Sequence, residues 1–113
     1  MNRFEGLMNA HPRKRYKSFA ATAADTETVW LDCDPTQLVP AEPCSISVWP
    51  EEMFASAVCS DKAVFSIEVH EFYELMMACP NRSIRVFPNG TDYVDTTADA
   101  LLADIEEELD LLE

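Results

Sequence analysis

The chain of 113 residues carries 21 Asp and Glu against 8 Lys and Arg, a formal net charge of -13 at pH 7. That balance opposes nucleic acid and anionic membrane and attracts basic partners at long range, while 48% hydrophobic residues are too many for a disordered chain. No apolar run approaches the roughly 20 residues of a membrane span and the opening residues lack the apolar core of a secretory signal, so the expected compartment is the cytoplasm.

Residues 1–11 read as an N-terminal lead with Phe4, Leu7 and Met8 at helical spacing, and residues 12–113 as a single domain. Pro12 suits the first turn of a helix, where its missing N–H costs nothing. Tyr16, Phe19, Ala20 and Ala23 then give one apolar face of a helix ending near Ala24, and Asp25-Thr26-Glu27 breaks it. Thr28–Leu31 reads as a strand, Asp34-Pro35-Thr36 as a turn, and Gln37-Leu38-Val39 as a second short strand closed by Pro40 and Pro43. Cys44–Trp49 is a third strand, with Ile46 and Val48 on one face and Ser45, Ser47 and Trp49 on the other. Because these three are close in sequence, an antiparallel meander is the simplest arrangement.

Pro50-Glu51-Glu52 looks like a helix start, and Met53, Phe54, Ala57 and Val58 supply its apolar face. A strand over Ala63–Ile67 follows. Glu68-Val69-His70-Glu71 opens the next helix, with Val69, Phe72, Leu75, Met76 and Cys79 facing inward until Pro80-Asn81 stops it. Ser83–Phe87 is a strand, Pro88-Asn89-Gly90 a turn, and Tyr93-Val94 a short returning strand. Thr96 or Thr97 caps a final helix, with Asp99 in a partial capping box and Leu102, Ile105, Leu109 and Leu112 as its apolar stripe. The fold class that follows is α+β: one domain with a mainly antiparallel sheet of four to six short strands packed by about four helices. Its expected core is Phe19, Trp30, Ile46, Val48, Phe54, Phe65, Ile67, Phe72, Val86, Leu102, Ile105 and Leu109.

Several short motifs in this order carry a resemblance: Arg15-Tyr16 with Phe19, Val29-Trp30-Leu31, Val48-Trp49-Pro50, Ile67 with Val69 and Glu71-Phe72, then Val86-Phe87-Pro88 and an acidic Leu-rich helix. Over residues 12–113 the chain resembles a bacterial domain-of-unknown-function family of small proteins, number 2750 in that series. The resemblance implies a compact α+β domain and supplies no activity or catalytic residue. The helix after Val48-Trp49-Pro50 is also similar, in topology, to the enhanced-serine-sensitivity type of bacterial domain.

Candidate chemistry is sparse. His70 and Glu74 stand one helical turn apart as two metal ligands would, but a metalloprotease helix needs a second His at Glu74 and a third ligand is missing; a solvated helix start with a favourable i,i+4 pair is the simpler reading. Cys33, Cys44, Cys59 and Cys79 form no C-x-x-C pair and read as free thiols, buried except for Cys33, which Asp32 and Asp34 would make sluggish. With only Gly6 and Gly90 there is no phosphate-binding glycine loop. No catalytic residue, metal ligand or cofactor is assigned.

The acids of the last helix stand out. Glu106, Glu107, Glu108, Asp110 and Glu113 gather at the negative end of a helix dipole, where each costs about a few tenths of a kcal/mol, and no base in that helix offsets them. Arg13, Lys14, Arg15 and Lys17, read as a solvated helix face, are the internal bases expected to pair with them; a basic partner is the other means of neutralising them. The leading functional expectation is a non-catalytic acidic module that binds a basic protein through Glu106, Glu107, Asp110 and Glu113 with Trp49 and Tyr93, an immunity-like inhibitor being one form. The alternatives are a small-ligand binder or enzyme with a pocket between sheet and helices, and a structural homodimer joined through the final Leu stripe; monomer and homodimer both remain open.

Overall fold

Proline at position 12 opens the longest helix, and short strands then alternate with helices. The computed structural model describes residues 3–35, 45–60 and 62–112. In chain order the elements are α1 (Arg3–Met8), α2 (Pro12–Thr26), β1 (Thr28–Leu31), β2 (Ile46–Trp49), α3 (Glu52–Cys59), β3 (Phe65–Glu68), α4 (Val69–Met77), β4 (Ser83–Val86), β5 (Val94–Thr97) and α5 (Ala98–Leu111). The strands form one mixed sheet in the order β3-β1-β2-β4-β5. Among the described residues three of its four pairings are antiparallel, and only β2 with β4 is parallel. The α+β class holds, with α1 as a fifth helix that packs on α2 and α3.

The expected meander does not form. β1 pairs directly and antiparallel with β2, Trp30 opposite Trp49, so no strand can lie between them. Gln37-Leu38-Val39 lies outside the described residues. The other neighbour of β1 is β3, which holds Val29 opposite Ile67 and Leu31 opposite Phe65.

Alternation along the strands sorts the two faces of the sheet. Val29, Leu31, Ile46, Val48, Ile67, Ile84 and Val86 are buried on the face covered by α2, α4 and α5. Trp30, Ser47, Trp49, Ser66 and Arg85 occupy the other face, where α3 lies against β1 and β2. The buried part of α3 is Phe54 with Ala55, while Met53 and Ala57, expected to face inward, are exposed. On α5 the stripe gains Leu101 beside Leu102 and Ile105, and Leu112 is exposed. Trp30, Phe65 and Leu109 are only partly buried. Cys33, expected in solvent, is half-buried against the core, because the strand it follows brings it under neighbouring apolar groups.

Three turns use residues other than glycine in the left-handed region: Glu27 at φ 58°, Ser60 at φ 55° and Phe87 at φ 52°. Such a conformation costs about 1–2 kcal/mol for a side chain with a Cβ. At Phe87 the surroundings enforce it. Its N–H donates to Val48 O (2.8 Å), its carbonyl accepts from Arg15 Nε (2.9 Å), and its ring packs on Phe54 with centroids 4.8 Å apart. Arg15 is therefore not on a solvated helix face. It is 1% exposed, and its guanidinium also donates to Ala10 O, to Asp92 O (3.0 Å) and to the Asp92 carboxylate. One buried cation thus ties α2 to the turn between β4 and β5, and satisfying its donors makes the burial affordable.

Candidate functional site

α5 runs parallel to α2 and antiparallel to α4, and this sets the location of its acids. Tyr16 donates its hydroxyl proton to Asp104, and Ala20 shares a cleft with Glu107 and Glu108. At the start of α5, Ala98 N and Asp99 N donate to Arg82 O (2.9 Å) and Pro80 O (3.1 Å), just past the end of α4. Val69 N donates to Glu27 O (2.9 Å), joining the start of α4 to the end of α2. The C-terminal ends of α2 and α5 and the N-terminal end of α4 therefore meet at one pole of the molecule.

That pole is acidic over more than one helix. Glu27, Glu68, Glu106 and Asp110 are all exposed there; the negative dipole ends of α2 and α5 add to their field, and the positive start of α4, which Glu68 caps, offsets part of it. Glu68 caps α4: its carboxylate accepts from His70 N (2.8 Å) and Glu71 N (3.3 Å), and its other oxygen lies 2.7 Å from His70 Nδ1. The contact with His70 holds the Glu68 carboxyl below its ordinary range, and Glu68 in turn pushes the His70 imidazole up, with Glu27 adding a smaller push. The ring partner of His70 is thus Glu68, two residues back, rather than Glu74, because the capping carboxylate already faces the first turn.

Between α4 and α5 lies a mostly apolar groove of about 260 Å³, floored by Val69, Leu102 and Ile105 and edged by Tyr73, Glu106 and Leu109. The Glu106 carboxylate beside Tyr73 pushes its hydroxyl pKa up. Leu111 and Leu112, 73% and 59% exposed, stand on the last turn of α5 at the same pole. An apolar groove rimmed by carboxylates can take an apolar anchor and pair with surrounding cations.

The residues expected to bind a partner are not all brought together. Glu106 lines the groove, Asp110 is exposed one helical turn after it, and Glu107 leans toward the α2 cleft, where Arg13, Lys17, Asp104 and Glu108 also sit. Glu113 lies outside the described residues. Trp49 is 1% exposed, with its indole N–H donated to Pro88 O (2.9 Å), so it offers no free surface to a protein. Tyr93 is exposed, but it lies on the opposite face of the sheet from α5, because alternation from Val94 places it beside Arg85. Tyr73, Leu111 and Leu112 take their place. The spacing of four that puts Tyr73 one turn after Val69 was the available signal for Tyr73; the antiparallel contact of α4 with α5 was not readable from spacing.

Among the described residues no group of three His, Cys, Asp or Glu side chains could hold a metal, and no helix is long and apolar enough to cross a membrane. No family model matches the chain, and no curated protein or solved structure matches it. What the site can do is read from its own residues.

Proposed function

We propose that this protein is a non-catalytic binding module that captures a basic protein, taking a cationic amphipathic segment of that partner into the α4–α5 groove. One observation carries the reading: the apolar groove and the exposed Leu111 and Leu112 sit inside the pole where the carboxylates of α4 and α5 and two negative dipole ends converge. Such a pole costs stability in the free protein; Arg13 and Lys17 share the α2 cleft with Glu107 and Glu108, whereas no described lysine or arginine lines the groove beside Glu106. A cationic partner removes that cost and is steered in by the field, while the groove supplies the short-range apolar contact that charge alone lacks. Neutralising a basic enzyme is one form such capture could take. A homodimer through this face is disfavoured, since it would press two negative poles together.

The test uses lysate of the native host and two variants. Glu106→Lys with Glu107→Lys and Asp110→Lys reverses the rim, and Tyr73→Ala opens the groove edge. A basic protein retained by the wild type, released by salt and lost by both variants is the expected result. Retention that survives the triple reversal would sink the reading.

A further inference from the structure

On the other face of the sheet, a cavity of about 420 Å³ lies between β2, β4, the end of α3 and the turn before β5. Two of the eight bases, Lys62 and Arg85, line it. Arg85 is held in place: its Nε donates to Ser47 Oγ (3.0 Å), and its Nη2 lies 4.0 Å from Asp32 Oδ2. The acids of the lining are already engaged. Asp32 accepts from Ser47 N (3.1 Å) through its other oxygen, and Asp92 holds the buried Arg15. The side chain of Lys62 makes no hydrogen bond or ion pair among the described residues, and Arg85 Nη1 takes no acceptor among them. The rest of the lining includes the apolar Val58 and the half-exposed Tyr93, with Trp49, whose N–H is spent on Pro88, buried behind them.

We infer that this cavity binds a small monocarboxylate with a flat apolar body, the carboxylate on Arg85 and Lys62 and the body against Val58 and Tyr93. A guanidinium fixed by a neighbouring hydroxyl presents its remaining N–H groups at little entropic cost, and its fork matches a carboxylate. A dianion fits less well, since Asp32 and Asp92 stand in the same lining. Cys59 also lines the cavity, but burial, and after it the Asp32 carboxylate, push its thiol up, away from the thiolate that nucleophilic chemistry needs. The site is a binding site and is separate from the acidic pole, so it stands or falls independently of the partner reading.

The test is an NMR titration of isotope-labelled protein with benzoate, with benzyl alcohol as the uncharged counterpart and inorganic phosphate as the dianion. Saturable shifts of the Ser47, Cys59 and Thr91 amides with benzoate alone, weakened about tenfold in Arg85→Gln, are expected. No saturable shift, equal binding of phosphate, or undiminished binding in Arg85→Gln overturns the inference. Should Arg85→Gln fail to fold, Lys62→Gln decides in its place by the same criteria, since its side chain bonds nothing among the described residues.

Discussion

Arg15 shows how one residue can be misread from its neighbours. In a run with Arg13, Lys14 and Lys17 it looks like part of a solvated basic face, yet it points inward to three carbonyls and the Asp92 carboxylate, with its guanidinium carbon 6.0 Å from the centre of the Phe87 ring. Arg15→Ala leaves those acceptors without a donor and should cost about 3–5 kcal/mol in urea denaturation. Asp92→Asn keeps the backbone acceptors and should cost about 1–2 kcal/mol. His70 and Glu68 give a prediction in pH. The Glu68 carboxyl is depressed below 4.5, so its contribution is present above that value and lost as pH falls through its folded pKa. The His70 imidazole is raised above 6.5, so its contribution is present below that value and lost as pH rises through its folded pKa. Stability from this contact is therefore greatest between pH 4.5 and 6.5. Proton NMR should place the His70 midpoint above 6.5 in the wild type, and Glu68→Gln should bring it back down.

At the scale of elements, the face of α2 is legible from spacing, since the helix begins at Pro12 and Phe19, Ala20 and Ala23 are buried as their periodicity requires, whereas α3, only 8 residues long, buries Phe54 and Ala55 and leaves Met53 and Ala57 outside. Acids in the first turn likewise mark the starts of α3 and α4. Strand partners are less legible, because an apolar strand four residues long carries no address: nothing in Thr28–Leu31 says that it pairs with both Ile46–Trp49 and Phe65–Glu68. The turns are hidden for a different reason. Glycine usually announces a left-handed residue, and here Glu27, Ser60 and Phe87 occupy that conformation instead. The site shows the same division. The acids of α5 are plain in the sequence, whereas the groove depends on α4 lying antiparallel to α5, a tertiary fact. Glu27 yields a test. It is exposed at the left-handed end of α2, and its carbonyl, which every residue type keeps, accepts the bond from Val69. Glu27→Gly should stabilise the fold by about 1 kcal/mol through relief of φ strain and removal of an acid from a negative dipole end, measured as a raised Tm.

For the molecule as a whole, a charge of -13 is distributed unevenly, with its densest part at the pole where α2 and α5 end. Like charges at that density repel one another within a Debye length of about 10 Å at 0.1 M salt. Added sodium chloride should therefore raise the Tm of the free protein while weakening capture of a cationic partner, and two opposite salt slopes from one surface are the expected signature. The parallel pairing of β2 with β4 has a separate consequence. Residues 3–77 supply α1 to α4 with β1, β2 and β3, residues 83–111 supply β4, β5 and α5, and the line between these stretches coincides with the junction of β2 and β4 inside the sheet. The link between them, Pro80-Asn81, is exposed. Across the junction run the β2–β4 ladder, the packing of α5 on α2 and α4, and the bonds of Arg15 to Phe87 and Asp92. Polypeptides 1–79 and 80–113, made separately and mixed, should reassemble with the circular dichroism spectrum of the intact chain, and Arg15→Ala in the longer piece should abolish it. Such reassembly would make the molecule a two-part complementation system, divisible where its only described parallel strands meet.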